Sequence, residues 1–340
     1  MPTPDEVKDK LSSIPVPGTM RNIVQMNRVR GIEIQEGKVS INLASAAMMP
    51  EVQEWLKAQI LASIRNLESV KETEVSFSDM LPKDLNDVKY VIAVMSGKGG
   101  VGKSLVTSLS AIALARQGLA VGILDADITG PSIPRMFGIT DRPGGSDSGM
   151  MPVTSKSGIE IMSINLLLPQ EDDAVIWRGP LIGKAITQFW EEVLWGKLDY
   201  LFVDLPPGTA DAPLSVMQNL PVTGVIIVFT PQELTAMIVK KAVKMANQMQ
   251  KHVLGIVENM SYLYLPELKR NIEIFGKSRA HEMEAASGAP LLAQLPLDPE
   301  LAMLCDQGKI EVYNGTQVKE LGTKLLEAVA QNAKVTKTSA

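Results

Sequence analysis

The sequence predicts an α/β protein in which a parallel-sheet domain follows a small α+β domain. Three observations predict it. The chain has 340 residues, enough for about two domains at roughly 150 residues each. From residue 88 onward, short apolar runs alternate with longer segments of helical period, the pattern of a parallel sheet covered on both faces. Before that point, helical and alternating stretches mix and end in a polar segment containing a proline.

Residues 1–80 make up the small domain. Asp5 to Leu11 has helical spacing, while Val29 to Ile34 and Lys38 to Leu43 read as strands joined by the turn Gln35-Glu36-Gly37. Val52, Trp55, Leu56, Ile60, Ile64 and Leu67 share one face of a helix over Glu51 to Leu67. Val70 to Phe77 alternates as a half-buried strand. Residues 81–88, beginning Leu81-Pro82-Lys83-Asp84, have linker composition. The second domain, 89–335, carries the strands Val91–Met95, Val121–Leu124, Tyr200–Val203, Val225–Phe229 and Val253–Val257. Ligands of such sheets bind beyond the carboxyl ends of the strands.

Composition excludes several classes of function. Hydrophobic residues are 45% and charged residues 21%, so the chain folds. A net charge of −5 and 4% aromatic residues argue against nucleic-acid binding. The stretch Val222 to Phe229 is strand-length and too short for a membrane span. One cysteine, Cys305, permits no intrachain disulfide, and Met1 to Glu6 lacks the form of a signal peptide. A soluble cytoplasmic protein is expected.

The strongest chemical signal follows the first strand directly. Ser96-Gly97-Lys98-Gly99-Gly100-Val101-Gly102-Lys103-Ser104 satisfies G-x-x-x-x-G-K-[ST] from Gly97, with a helical run after it. Backbone amides from Gly97 through Ser104 would cradle phosphate oxygens, Val101 included, at the positive end of the helix. Lys103 would neutralise the β and γ phosphates, and the Ser104 hydroxyl would ligate Mg2+. The domain is thus a P-loop NTPase domain binding ATP. Lys98 is an additional cation on this short loop, placed to reach the nucleotide of a facing copy in a homodimer. Two more segments end strands as such a site requires, Asp125-Ala126-Asp127 and Tyr200-Leu201-Phe202-Val203-Asp204, the latter followed by Leu205-Pro206-Pro207-Gly208-Thr209.

Lys98 to Ser104 resembles the KGGxGK[ST] loop of the deviant Walker A ATPases, a group that includes MinD, ParA, ArsA and the nitrogenase iron protein. Asp125 to Pro134, Trp177-Arg178-Gly179-Pro180, Asp204 to Thr209, Thr230-Pro231-Gln232-Glu233 and Glu258-Asn259-Met260-Ser261-Tyr262 are more closely similar to the Mrp (ApbC-like) iron–sulfur cluster carrier ATPases. The resemblance spans nearly the whole chain, since residues 5–78 look like the iron–sulfur-assembly domain that often precedes the ATPase. It implies ATP hydrolysis, slow until a partner stimulates it, with Lys98, Lys103 and Asp127 catalytic and Asp127 orienting the attacking water. It also implies Mg2+ held at Ser104 with Asp125 and Asp204 behind it, a switch loop at residues 205–209, and adenine contacts from Asn259 and Pro231. An iron–sulfur apo-protein or assembly factor is the implied partner.

The sequence departs from this family where a C-x-x-C normally provides thiolates for a cluster bridging two subunits. Leu265 and Leu268 occupy those positions, and Ala46-Ala47-Met48-Met49-Pro50 lacks the usual cysteine of the small domain. A four-iron cluster commonly takes four thiolates, whereas Cys305 offers one per chain from a late helix. His252 and His281 lack metal-like spacing to any partner. The ATPase half of the resemblance therefore carries over, and the cluster half lacks its ligands. Two other roles fit the same loop: a MinD- or ParA-type switch that positions a protein or membrane partner without a cluster, and a heterodimer with a cysteine-bearing paralogue. A membrane role would need an amphipathic terminal helix. The stripe Val318, Leu321, Leu325, Leu326 and Val329 instead reads as core packing.

Overall fold

The computed structural model describes residues 2–127, 130, 132–168, 179–209, 211–232 and 235–338. The chain divides into two compact units. One comprises residues 1–89, 142–154 and 188–199, and the other comprises 90–141, 155–187 and 200–340.

In the smaller unit, α1 (Pro4–Leu11) begins with a capping box, in which the Thr3 hydroxyl and the Glu6 carboxylate satisfy each other's backbone amides. Strands β1 (Val29–Gln35) and β2 (Lys38–Ala44) form the expected antiparallel hairpin, and β3 (Glu72–Ser78) adds in parallel to β2. Helix α2 (Pro50–Ile64) packs Leu56, Ile60 and Ile64 into a core with Val7, Leu11, Val39, Ile41 and Leu43. Trp55 departs from the expected buried face and is 40% exposed. The buried positions recur every four residues, and Trp55 sits about 100° round the helix from that row. The helix also stops at Ile64, short of the expected Leu67, because residues 65–71 fold into a turn that bonds the Lys71 amide to the Gly37 carbonyl.

The expected linker contains a helical turn at Pro82–Leu85, with Leu85 fully buried. Residues 188–199 join this unit through Leu194, which is fully buried in its core, and through directed bonds. The Arg21 guanidinium donates to the carbonyls of Trp195, Gln25 and Lys197, and the Asn86 carbonyl oxygen accepts from the amides of Trp195 and Gly196.

The larger unit is built on a parallel sheet. Its elements in chain order are β4 (Asp87–Ser96), α3 (Lys103–Ala115), β5 (Val121–Asp125), α4 (Ile133–Phe137), β6 (Glu160–Ser163), α5 (Gly179–Glu192), β7 (Lys197–Asp204), α6 (Asp211–Asn219), β8 (Gly224–Phe229), α7 (Thr235–Gln248) and β9 (Val253–Glu258). There follow a short hairpin of β10 (Leu263–Leu265) and β11 (Arg270–Ile272), then α8 (Ala280–Ser287), β12 (Leu291–Gln294), α9 (Pro299–Asp306) and α10 (Thr316–Thr338). The seven strands of this unit run β12-β9-β8-β4-β7-β5-β6 within their sheet. Strand β8 pairs in parallel with β4 and β9, β9 with β12, and β5 with both β7 and β6. From β4 the chain first moves outward to β5 and β6, then returns through β7 and builds the other side. The carboxyl end of β4 therefore lies where the order reverses, the place at which such sheets bind ligands.

All five expected strands are present. Strands β6 and β12 escaped the pattern because each has only four residues, with polar residues at both ends of β6 and at the end of β12, although all four of β6 are buried. Val318, Leu321, Leu325 and Val329 of α10 are buried as core, and Leu326 is half-buried. Among the described residues no helix is long and apolar enough to cross a membrane.

Strand β9 ends in Glu258, which is fully buried. Its carboxylate accepts from the hydroxyls of Ser261 and Ser278 at 2.7 Å each, from the Arg279 amide at 2.7 Å and from the Gln294 side-chain amide at 2.9 Å. These donors stand at both ends of the excursion that carries β10 and β11, so one charge pins the base of that hairpin. Glu258→Ala leaves four inward-facing donors without their acceptor and should lower the unfolding free energy by about 3 kcal/mol. Urea titration measures this, and a loss below about 0.5 kcal/mol would mean that the hairpin is held by other contacts.

Candidate nucleotide-binding site

The site begins with strand register. In the pairing of β7 with β5, Asp204 stands directly opposite Asp125 at the two carboxyl ends. Both are fully buried, and Asp127 is nearly so. Helix α3 starts beside them. Lys103, itself buried, places its ammonium 2.6 Å from Asp204 Oδ2 and 3.4 Å from Asp127 Oδ2. The Ser104 hydroxyl donates to the same Asp204 oxygen at 2.5 Å.

Thr107 was not singled out in the sequence. It lies one helical turn beyond Lys103 on the same face, and its hydroxyl is 2.6 Å from Asp204 Oδ1. The spacing of four from the loop lysine was the available signal.

Three carboxylates thus share one buried ammonium. Burial pushes the Asp125 carboxyl up to about 8, reinforced by the negative charge of Asp204 and then Asp127, while Lys103 and the Ile133 amide oppose the shift. Asp125 also accepts from its own loop, at Oδ1 from the Asp127 amide (3.2 Å), and at Oδ2 from the Ser163 hydroxyl (3.2 Å) at the end of β6. A divalent cation would relieve this like-charge crowding. Among the described residues, no three His, Cys, Asp or Glu side chains form a ready cage for a metal. Magnesium in phosphate sites draws mainly on phosphate and water, with few protein ligands.

The loop itself is shaped by close approaches. Gly102 has φ +79°, and a Cβ there would lie 2.1 Å from the side-chain nitrogen of Asn259. That nitrogen donates to the Val101 carbonyl at 2.9 Å, so the buried Asn259 supports the loop from the end of β9. A Cβ on Gly97 would lie 1.7 Å from a methyl of Ile238 on α7. Gly97 is required by that packing as well as by any phosphate. The Ser96 carbonyl accepts from the Gly208 amide at 3.0 Å and the Val94 carbonyl accepts from the Leu205 amide at 3.1 Å, which moors residues 205–208 to β4. Gly99 and Gly100 are exposed at the loop tip.

Lys98 is half-buried and its ammonium donates to the Gln232 side-chain carbonyl of its own chain, a partner the sequence did not suggest. Pro231 is buried next to it. Phe229 pairs with Glu258, and the Asn259 amide donates to the Phe229 carbonyl at 2.8 Å, so Pro231 and Asn259 follow adjacent strand ends. Ile128, Thr129, Pro131, Trp177, Arg178 and Glu233, which belong to the sequence phrases above, lie outside the described residues.

The cysteine-replacing leucines are on the hairpin. Leu265 ends β10, half-buried, and Leu268 is 57% exposed in the turn. Cys305 lies on α9, where burial, with a smaller contribution from the charge of Asp306, pushes its thiol up to about 11. It is a poor thiolate at neutral pH.

Residues 87–333 match the ParA family model described as NUBPL iron-transfer P-loop NTPase, and residues 4–77 match one described as iron-sulfur cluster assembly protein. The chain is 37% identical over 347 residues to an iron-sulfur cluster carrier protein of Synechocystis sp., covering 97% of each. A protein of the same description from Clostridium perfringens is 44% identical over 241 residues, covering 68% of this chain and 84% of that one. Among solved structures, a nucleotide-binding protein of Archaeoglobus fulgidus in complex with ADP is 47% identical, with a TM-score of 0.61 over 67% of this chain and 90% of that one. The Pyrococcus furiosus cell division ATPase MinD shares the fold, with 21% identity and a TM-score of 0.52 over 72% and 99% of the two chains.

Thr107 gives this geometry a direct test. Thr107→Ala frees Asp204 Oδ1 and should raise the Mg2+ concentration needed for half-maximal nucleotide binding about five-fold, with Thr107→Ser restoring it. Titration of Mg2+ against a fluorescent ATP analogue reads this. Equal behaviour of the alanine and serine variants would show that the hydroxyl does not matter. With its loop, its strand-end aspartates and its two matched domains, this chain belongs to the family of iron-transfer P-loop NTPases, the iron–sulfur cluster carrier proteins.

Proposed function

We propose that this chain is a magnesium-dependent ATPase that serves iron–sulfur cluster transfer as a nucleotide-driven switch between two copies of itself. The observation that supports this reading most is the convergence of Lys103, Ser104 and Thr107 on Asp204 at the end of a glycine loop. One cation beside three buried carboxylates, in register at two strand ends, fits a triphosphate that arrives with Mg2+.

The residues divide the work. Gly97, Gly99, Gly100, Val101 and Gly102 turn backbone amides toward the phosphates, and Lys103 neutralises the terminal ones. Ser104, Asp204 and Asp125 would hold the metal. Bound Mg2+ supplies charge neutralisation on the phosphoryl oxygens. Asp127, tethered to Lys103, orients the attacking water. Lys98 exchanges Gln232 for the nucleotide of the facing copy, a change that would couple dimer closure to hydrolysis. Asn259 and Pro231 flank the base. In-line phosphoryl transfer needs such positioning and charge stabilisation more than covalent chemistry, and slow turnover until a partner completes the site is part of this reading. So is a cytoplasmic location, supported by a single cysteine per chain.

The iron–sulfur cluster is cargo, and here the residues do not fit direct carriage. Leu265 and Leu268 cannot ligate iron, and Cys305 is a single thiol held protonated by its surroundings. In this reading the thiolates belong to a partner, either an apo-protein or a cysteine-bearing relative, and this chain contributes the ATP-driven step.

Two measurements test it. Lys98→Ala should lower ATP turnover about a hundred-fold or more while ATP affinity by calorimetry changes by less than about three-fold; wild-type turnover in that variant would remove the cross-subunit role. Protein purified without oxygen should contain almost no iron or acid-labile sulfide, and about four of each per dimer would show that the chain holds a cluster by ligands other than the C-x-x-C.

A further inference from the structure

The hairpin that replaces the cluster-binding segment borders a groove of about 970 Å³, whose other walls are residues 296–300 and 312–317. The charged side chains of its lining are acidic only, while Lys269 and Arg270 stand exposed on the same hairpin outside that lining. Glu267, Asp298 and Glu300 line it, and among the described lining residues there is no Lys, Arg or His. Glu267 and Glu300 are exposed, while Asp298 is half-buried and fixed by the Tyr313 hydroxyl at 2.7 Å and the Glu300 amide at 2.9 Å. The groove also displays apolar surface, with Val312 64% and Tyr264 50% exposed. Apolar surface rimmed by charge marks interaction sites.

The backbone adds a shape requirement. Strand β10 belongs to a sheet of two strands, so its edge away from β11 has no further strand among the described residues. An open edge with flanking side-chain pockets accepts an extended segment through main-chain hydrogen bonds. The carboxylates exclude a nucleic-acid backbone, and the described residues form no metal cage.

We propose that this groove docks an extended segment of a partner protein in which basic and apolar residues alternate, the basic ones facing Glu267 and Glu300 and the apolar ones facing Leu265 and Val312. None of these residues belongs to the nucleotide site, but Leu265 stands on the hairpin whose counterpart in the family bridges two subunits, so self-association is measured alongside docking.

Fluorescence anisotropy on the full-length protein tests it with a labelled peptide of sequence GKLRVKG and its acidic counterpart GELEVEG. The basic peptide should bind at least about ten-fold more tightly, and the E267Q/E300Q double variant should weaken it about five-fold, with ATP turnover unchanged. The double variant E33Q/E36Q, at exposed positions of β1 and of the turn after it, should change binding less than two-fold. Equal loss in both double variants would mean attraction to net charge alone and overturn the proposal, as would equal binding of the two peptides. Sedimentation showing that E267Q/E300Q abolishes self-association would assign the groove to a second copy and likewise overturn it.

Discussion

A buried carboxylate that must find donors organises the larger unit. Asp204 has no solvent exposure, and an unpartnered charge there would cost several kcal/mol. Its donors, Lys103, Ser104 and Thr107, all come from the first turns of α3. The start of that helix is therefore fixed against the end of β7, and the loop from Gly97 to Gly102 must close the distance from the end of β4 in six residues. Glycines at its tightest points, backed by Asn259 and Ile238, make that path sterically possible. The same ammonium reaches Asp127, so one charge network sets the loop, the helix and the segment after β5.

This economy explains what was legible in the sequence. The five central strands are continuous apolar runs because both faces are covered, and strand ends were easy to align with Asp125, Asp204 and Asn259. The loop motif is a local requirement of phosphate binding and needs no tertiary information. Gln232 and Ser163 were not legible, since each acts through a neighbour distant in sequence, and Thr107 offered only its spacing of four from Lys103. The short strands β6 and β12 lacked a run long enough to show a period. Trp55 misled because a helix pattern of six apolar residues spans more than the one face that can be buried. The small domain was legible over residues 1–80, but the addition of residues 188–199 to it was hidden, because most of that join consists of carbonyls accepting from Arg21 and amides donating to Asn86, with Leu194 alone of the segment entering the core.

The hairpin shows why a cluster ligand can change while the ATPase machinery stays intact. Glu258 holds the base of the excursion through four donors, three of them side chains, and none of these lies at positions 265 or 268. Leu268 is exposed and Leu265 only half-buried, so the identity of either contributes little to core packing. Lys103, Asp125, Asp127 and Asp204, by contrast, are buried in one charge network where a single replacement strands the others. Chemistry presented on a two-stranded tip is thus separable from chemistry embedded at strand ends. A chain with leucines at that tip therefore presents an apolar, acid-rimmed edge where thiolates would otherwise stand, at no cost to the buried network.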